Sequence, residues 1–460
     1  MCSLQVRGRL ALIKMRTRFD RLERIAALRP VNAHAAAAVL REESLVAELQ
    51  GANSDELCAL LGGTVSRNDY GEHLAVRRWF AEPQECTPAR AALELLAPDC
   101  AAHVSDPAKW LFLDTETTGL SGGTGTYAFL VGIAWWDSGG LQVEQFFMRD
   151  FGEEHSLLRA LAERMAERPV LVTFNGKTFD WPLLETRFRM TRCIKAKAPR
   201  AHLDLLHPAR QLWRLRLASL RLIELERHVL GFDRGPDLWS AMIPQLYFDF
   251  LRGAPAAPLA DVFRHNQMDL RGLAALSGKI LAMLAEPETH DGDAVELHGL
   301  SRLLRRRGDG QRARRLYERA LDAGLPAQLD RAARRELAAL AKRDRDFARA
   351  TELWAELADG AAPAAPGFRP AEGGLHSHRD GSDVLEAYEQ LAMYYEHHAR
   401  QPERAAALTR DAMTALAAAH GAGTISPGLH RRLRDRLTHR LARLERKAST
   451  LLCPGDTPAN

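Results

Sequence analysis

The stretch that decides the fold runs from Lys109 to Gly132 and reads KWLFLDTETTGLSGGTGTYAFLVG. A run of large apolar residues ends at Asp114, and Glu116 follows two positions later. Side chains at positions i and i+2 of a strand lie on one face, so the two carboxylates point the same way. Ligands bind at the carboxyl edge of open α/β sheets, which makes the pair a candidate for chemistry. The alternative is that both are solvated turn residues.

Composition sets wide limits on the function. The 460 residues predict two or three domains, and the net charge of +4 says little about partners. The six cysteines are scattered without a CxxC pair, which argues against a zinc ribbon or a disulfide scaffold. They indicate a reducing compartment, so we predict a cytoplasmic location. No apolar run is long enough for a membrane span. The first residues do not resemble a signal peptide, and the sequence leaves open whether Met1 or Met15 is the true start.

The pattern along the chain predicts three regions. Residues 1–105 read as an N-terminal extension, partly helical, with a short hairpin in NDYGEHLAVRRWF. Residues 106–285 begin with three strands, WLFLD, YAFLVGIAWW and LQVEQFFMR, and then alternate helices with the strands PVLVTFN and AHLDLLH. This order predicts an α/β domain, with a mixed five-stranded sheet and helices on both faces.

Residues 286–450 predict an all-α domain of helical hairpins. A small residue followed by an aromatic one recurs at Ala313 and Tyr317 and again at Ala350 and Trp354, close to the tetratricopeptide period. The Pro/Gly-rich residues 359–382 predict a flexible insertion. Arginine-rich stretches in this region either bind phosphates or form solvated helix faces.

Two further acidic positions follow the first pair. Asp180, in FNGKTFDWPLL, lies at the start of a helix after a buried strand, where an acid also complements the helix dipole. Asp269, in HNQMD, comes one helical turn after His265; the alternatives are an exposed helix acid and a structural histidine. Asp204 ends a short strand, and we favour a structural role for it.

The order of these motifs resembles the DEDD superfamily of 3′–5′ exonucleases, which have the ribonuclease-H-like fold. More narrowly, LFLDTETTGLSGGTGTYAFLVG, FNGKTFDWPLL, HLDLLHPARQLW and HNQMDL resemble the YprB-like ribonuclease-H-like family, which is often joined to tetratricopeptide repeats. The resemblance covers about residues 110–280. One motif departs from the pattern: the third DEDD motif has a tyrosine four residues before its aspartate or a histidine five before it, whereas His265 stands at the tyrosine spacing.

The resemblance implies a two-metal site. Asp114, Glu116, Asp180 and Asp269 would be both catalytic and metal-binding, and an all-carboxylate set suits two Mg²⁺ or Mn²⁺ ions. Mutual repulsion of these carboxylates makes a cation electrostatically expected. In this interpretation His265 orients or deprotonates the attacking water.

The glycines after the acidic pair lack a Gly-Lys-Ser/Thr signature, so they do not form a P-loop. The resemblance implies that this loop lines the groove for the 3′-terminal nucleotide; a tight hairpin is the plainer alternative. The implied substrate contacts are Thr117, Tyr127, Asn175 and Phe179.

We therefore predict a metal-dependent 3′–5′ exonuclease that hydrolyses single-stranded nucleic acid. The sequence does not distinguish DNA from RNA, or exclude a structure-specific endonuclease. A hypothesis from another class is a non-catalytic nucleic-acid-binding or scaffolding protein acting through its helical repeats. Those repeats also predict a possible protein partner.

Overall fold

The structure is a computed structural model of the chain. The predicted helix in NAHAAAAVLREESLVAELQ lies outside the residues it describes, as does nearly all of the predicted insertion at 359–382. The described residues are 55–82, 89–119, 123–235, 237–359 and 380–452, and the side chains of 380–382 and 450–452 are not described.

The centre of the molecule is a seven-stranded mixed sheet with the order β1-β2-β5-β4-β3-β6-β7. Strands β3, β6 and β7 run parallel, and the remaining neighbours are antiparallel. The five strands that the sequence predicts in 106–285 are all present. The strands are β1 Thr64–Asn68, β2 Gly71–Phe80, β3 Trp110–Thr117, β4 Ala128–Asp137, β5 Gly140–Phe147, β6 Val170–Thr173 and β7 Ala201–Asp204.

The predicted number of five strands was wrong, because the hairpin of the N-terminal extension belongs to the same sheet. Strand β2 pairs antiparallel with β5 from Leu74↔Phe147 to Phe80↔Leu141. The apolar residues Leu74, Ala75 and Val76 of this hairpin are buried. The sheet therefore continues for two strands beyond the predicted edge.

Both faces of the sheet are covered, as predicted. Along β3, Trp110 and Phe112 enter one hydrophobic core, and Leu111 and Leu113 enter the other. A strand that is apolar at every position fits this double burial. The helices used below are α1 Arg90–Leu96, α2 Glu154–Glu167, α3 Asp180–Thr191, α4 Leu206–Trp213, α5 Ile243–Leu251 and α6 Leu259–Ala285.

After α6 the described chain is helical, in agreement with the predicted all-α part. Ala313, Tyr317, Ala350 and Trp354, which mark the repeated pattern, are all buried between helices. The tetratricopeptide assignment itself stays a prediction. The helices are α7 Ala294–Arg306, α8 Gly310–Asp322, α9 Ala327–Arg343, α10 Phe347–Ala358, α11 Asp380–His397, α12 Pro402–Gly421 and α13 Pro427–Leu452. None of the helices within the described residues has the length and apolarity to cross a membrane.

The all-α part packs directly on the sheet domain. Helix α7 lies against α4, and a Cβ atom at Gly299 would stand 2.3 Å from the carbonyl oxygen of Leu212. Leu297, Leu300 and Leu303 of α7 belong to the same hydrophobic core as Phe112 of the sheet. One continuous core thus joins the two parts.

Candidate active site

Three carboxylates lie together at the carboxyl end of β3. Asp114 and Glu116 lie on β3, and the Glu116 side chain is 13% exposed. Asp180 is the first residue of α3, and its Oδ1 accepts a hydrogen bond of 2.6 Å from the hydroxyl of Thr115. The strand end and the helix start, far apart in the chain, are thereby joined.

Helix α6 brings His265 and Asp269 to the same place. The Nε2 atom of His265 lies 3.9 Å from a carboxylate oxygen of Glu116 and 3.7 Å from one of Asp269. Both side chains are largely buried. Two of the predicted acidic positions, Glu116 and Asp269, therefore lie beside His265, and Asp114 and Asp180 belong to the same group of interacting carboxylates.

A residue that the sequence reasoning missed, Asn266, holds Asp114 in place. Its side-chain nitrogen donates to Oδ2 of Asp114 at 2.8 Å, and its oxygen accepts from the side chain of Gln145 at 2.8 Å. Gly132 pairs with Asp114 across the sheet, and a Cβ at Gly132 would lie 2.0 Å from the Asn266 oxygen. The glycine thus makes room for the amide, and a glycine inside a strand pattern was the available signal.

The segment before α5 supplies a second missed residue, Asp237. Its carboxylate oxygens lie 2.9 and 3.0 Å from Nδ1 of His265, so the other ring nitrogen is directed at the acidic cluster. Burial raises the pKa of Asp237, but the hydrogen bond to His265 and the nearby Arg234 outweigh it and hold the pKa below the usual value. Asp237 lies outside the motifs, so only the folded chain reveals it.

Arg234 connects this segment to the cluster. Its side chain is 2% exposed and pairs with Asp269 at 2.5 Å, with Asp237 at 3.1 Å and with the buried Glu226. Burial lowers the pKa of Arg234, but its hydrogen bonds and ion pairs with Glu226 and Asp269 outweigh burial and raise the pKa above its usual value. A Cβ at Gly272 would stand 1.7 Å from an oxygen of Glu226, so only a glycine at this position of α6 leaves space for the ion pair between Glu226 and Arg234.

The environment favours the protonated form of the central carboxylates. Burial, then the charges of Asp269, Glu116 and Asp180, raises the pKa of Asp114 well above its usual value. Burial and the charges of Asp269 and Asp180 do the same for Glu116. For Asp180, burial raises the pKa to about 6. Like charges in a buried site disfavour ionisation, and a cation would relieve the repulsion.

The donor set fits a hard divalent cation, because carboxylate oxygens are the ligands that Mg²⁺ and Mn²⁺ prefer. Among the described residues, no three His, Cys, Asp or Glu side chains are arranged so that they could hold a metal ion as they stand. Three of the four carboxylates instead have a close protein partner: Asn266 for Asp114, Thr115 for Asp180 and Arg234 for Asp269. If these carboxylates bound a metal ion, metal–oxygen bonds would replace some of their hydrogen bonds and ion pairs to the protein.

The predicted substrate contacts lie around this cluster. Phe179 is 56% exposed, just before α3. Asn175 has a left-handed backbone, with φ of 69°, and the hydroxyl of Thr117 donates to the carbonyl of Gly119 at 3.0 Å. The ring of Tyr127 is partly buried, with the guanidinium of Arg187 3.8 Å from its centroid. Residues 120–122 of the glycine loop lie outside the described residues.

Asp204 supports the loop that leads to Asp180. One of its oxygens accepts hydrogen bonds from the backbone N–H of Asn175 at 2.8 Å and of Leu206 at 3.1 Å. The other accepts from the N–H of Lys177 at 3.1 Å. These bonds are those of a structural residue beside the site.

A cleft of about 1110 Å³ opens onto the cluster. Its wall includes Asp114, Asn175, Asp237, His265 and Asp269. The acidic cluster is therefore accessible to a ligand of considerable size from this side.

Comparison with known proteins agrees with this architecture. Residues 111–281, which include every acidic position of the cluster, match the family described as "RNase_H superfamily". The Bacillus subtilis (strain 168) protein named "Uncharacterized protein YprB" is 33% identical over 251 residues, 54% of this chain. The match spans 59% of that protein, less than two thirds of its length. Residues 111–281 of this chain are therefore similar to domains of the ribonuclease H superfamily.

Proposed function

We propose that the chain is a metal-dependent nuclease, and that it removes nucleotides from the 3′ end of single-stranded nucleic acid. The observation that carries the proposal is a buried group of four mutually interacting carboxylates, Asp114, Glu116, Asp180 and Asp269, two of which (Glu116 and Asp269) lie within 4 Å of the Nε2 atom of His265. The superfamily match supports a nuclease-type function, and nucleases with this fold usually use divalent metal ions.

Each residue has a defined task in this proposal. Asp114, Glu116, Asp180 and Asp269 would hold two Mg²⁺ or Mn²⁺ ions. The ions would activate water and stabilise the charge on the leaving oxygen. His265 would accept the proton of the attacking water at Nε2, and Asp237 would fix its ring and its tautomer through Nδ1.

The substrate contacts are also proposals. Phe179 would stack on the terminal base through its exposed ring, and Asn175 and Thr117 would contact the sugar and phosphate. Tyr127 would act as part of the groove wall, because Arg187 already covers its ring. We also propose a cytoplasmic location, on the basis of the scattered cysteines.

The alternative is a non-catalytic nucleic-acid-binding or scaffolding protein, and the extended all-α part is the observation in its favour. A structure-specific endonuclease would share the same ligands and would differ in its products. Both alternatives are separated from the proposal by one digestion experiment.

The experiment uses single-stranded DNA and RNA labelled at the 5′ end, with Mg²⁺ or Mn²⁺. The proposal expects products shortened one nucleotide at a time, and the loss of this ladder in Asp114→Asn and Asp180→Asn. Glu185→Gln, which alters a partly exposed acid on α3, is the matched control and should cleave normally. A single internal cut would support the endonuclease, and no cleavage by folded protein that still binds would support the scaffold.

A further inference from the structure

The cleft beside the acidic cluster has a second, basic part. Its wall extends from Asp114 and His265 to Arg210, Arg214 and Arg221, and to Arg302 of α7. The first three arginines follow or belong to α4, and Arg302 comes from the all-α part. Gln328 and Leu329 of α9 also line the cleft. The all-α part therefore forms a wall of the same cleft that reaches the carboxylates.

These arginines differ from most others in the chain. Many arginines of the all-α part pair with acids, as Arg305 does with Glu336 and Arg314 with Asp346. Within the described residues, Arg210, Arg214, Arg221 and Arg302 have no carboxylate partner, and they lie together in one cleft. Unpaired guanidinium groups that converge on a cleft indicate an anionic ligand.

Arg302 is the clearest case. Its side chain is half-buried, and burial together with the charge of Arg306 lowers its pKa more than the charge of Glu336, which pairs with Arg305 instead, raises it. Burying an unpaired charge costs stability, so a counter-charge supplied by a ligand would be stabilising. The acid that lines this part of the cleft, Glu224, lies 3.4 Å from His228 and does not pair with Arg302.

The rim of the cleft carries an exposed aromatic residue. Trp239 is 69% exposed and lies two residues after Asp237, the partner of His265. Aromatic side chains beside a basic groove are the combination that binds single-stranded nucleic acid, because bases stack while the backbone follows the charges. The aromatic ring and the arginines thus suit the same ligand.

We propose that this cleft binds the polynucleotide strand behind its 3′ end, with Arg214, Arg221 and Arg302 on the phosphates and Trp239 on a base. The inference rests on the proposed nuclease function and adds to it. The first helices of the all-α part thus form a wall that binds the strand beyond the carboxylates, and Arg302 contacts a phosphate outside the nuclease site.

The test compares the full-length chain with Arg214→Gln/Arg302→Gln. Binding of a labelled single-stranded oligonucleotide is measured by fluorescence anisotropy over a range of salt concentrations, with Ca²⁺ in place of Mg²⁺. Hydrolysis of a dinucleotide and of the oligonucleotide is measured with Mg²⁺ or Mn²⁺. Arg431→Gln/Arg432→Gln is the matched control, because it removes two exposed arginines of α13 away from the cleft.

The expected result is oligonucleotide binding weakened roughly tenfold in the cleft variant, with a salt slope shallower by about 0.7 for each phosphate that no longer meets an arginine. Its dinucleotide hydrolysis should equal that of the wild type, because a dinucleotide occupies only the carboxylate end. Affinity and salt slope equal to those of the α13 control would overturn the inference, as would displacement of the oligonucleotide by polyglutamate at equal charge concentration.

The inference and the proposed function fail separately in this design. A wild-type chain that hydrolyses the oligonucleotide while the cleft variant binds normally would retain the nuclease and reject the cleft. A wild-type chain that hydrolyses neither substrate, but whose cleft variant no longer binds the oligonucleotide, would retain the cleft and reject the nuclease.

Discussion

The residue that most changes the interpretation of the site is Asp237. The sequence leaves His265 at an unusual spacing from Asp269, with its role open. In the structure, Asp237 contacts Nδ1 of His265 with both oxygens, and Nε2 lies within 4 Å of Glu116 and Asp269. A carboxylate that contacts Nδ1 of a histidine fixes the orientation of the ring and its tautomer. This geometry supports a proton-transfer role despite the spacing.

Replacing Asp237 tests this role. Asp237→Asn keeps an acceptor for Nδ1 but removes the charge, so we expect kcat to fall by about tenfold; Asp237→Ala removes both, and we expect roughly a hundredfold. KM for a dinucleotide should stay the same, because Asp237 acts through His265. Steady-state kinetics of the two variants measure the effect, with Asp233→Asn, an exposed acid of the same segment, as the control. A rise in KM at unchanged kcat would contradict the positioning role.

The acidic positions were predictable from the sequence, but their partners were not. Asp114, Asp180 and Asp269 follow recognisable elements, a strand end, a helix start and a helical turn. Asn266, Arg234 and Asp237 act through long-range contacts, to β3, to α6 and to His265 respectively. Such contacts depend on how elements pack, which local spacing does not encode.

At the scale of elements, the site depends on how α6 meets the sheet. The helix carries His265, Asn266 and Asp269, and two glycines permit the approach. Gly132 on β4 admits Asn266, and Gly272 on α6 admits Glu226. The close packing of α6 against the sheet therefore positions the polar side chains of the site and also completes the hydrophobic core.

Gly132→Ala should disrupt the site through this packing. The new Cβ would stand 2.0 Å from the Asn266 oxygen, so we expect the free energy of unfolding to fall by about 1–3 kcal/mol and activity to be lost. Denaturant unfolding and digestion assays measure both. Gly421→Ala, where nothing lies within 4 Å, should be tolerated.

A second variant separates packing from chemistry. Gly132→Ala/Asn266→Ala removes the obstructing amide and should regain part of the lost stability. Its activity should stay low, because Asp114 would lack its hydrogen-bond donor. A double variant that regains full activity would show that Asn266 does not position Asp114.

The elements themselves were more predictable than their pairing. Strands β3 to β7 were predicted because each is a short apolar run between turn signals. The hairpin of β1 and β2 was also predicted, but its place beside β5 was not. Strand pairing joins residues distant in sequence, such as Trp79 and Gln142, and no local pattern specifies that partner.

At the scale of the whole molecule, one hydrophobic core continues from the sheet into the all-α part. Phe112 of β3, Leu276 of α6, Leu300 of α7 and Trp354 of α10 belong to it. A chain ending near residue 285 would expose the apolar face that α7 covers. The predicted boundary at residue 285 therefore runs through a packed interface.

Truncation should reveal this dependence. A chain without residues 286–460 should unfold at lower temperature than the full-length chain or be insoluble, because Leu212, Leu281 and their neighbours lose their cover. Circular dichroism with thermal unfolding measures the effect. Deletion of residues 427–460 is the milder control. It removes α13, which packs only in two small hydrophobic clusters that are separate from the core of the sheet. A shortened chain of unchanged stability would contradict the shared core.

The charge of the site should make stability depend on pH and on divalent cations. Burial raises the pKa of Asp180 from 3.8 to about 6, so the unfolded chain loses this proton at lower pH than the folded chain. With respect to Asp180, the folded chain therefore keeps its full stability below about pH 4, where this side chain is protonated in both states. As the pH rises through about 6, Asp180 ionises in the buried site, and the free energy of unfolding falls by on the order of 3 kcal/mol.

We expect Mg²⁺ or Mn²⁺ to offset this cost where the carboxylates are ionised. The melting temperature should rise with the cation at about pH 8 and change little at about pH 5. Asp180→Asn should melt higher than the wild type at about pH 8 without cation, and should respond less to it. Differential scanning calorimetry measures both, with NaCl at equal ionic strength as the control. Equal cation effects at the two pH values would contradict the prediction.

The division of the carboxylates between the sheet and α6 has a consequence for synthesis of the protein. Asp114 and Glu116 leave the ribosome long before Asp269, and Arg234, Asn266 and His265 also come late. A nascent chain holds only part of the site until α6 has been made and has docked on β4. Under the proposed nuclease function, the emerging chain would therefore be unable to cleave the nearby messenger and ribosomal RNA until α6 has docked.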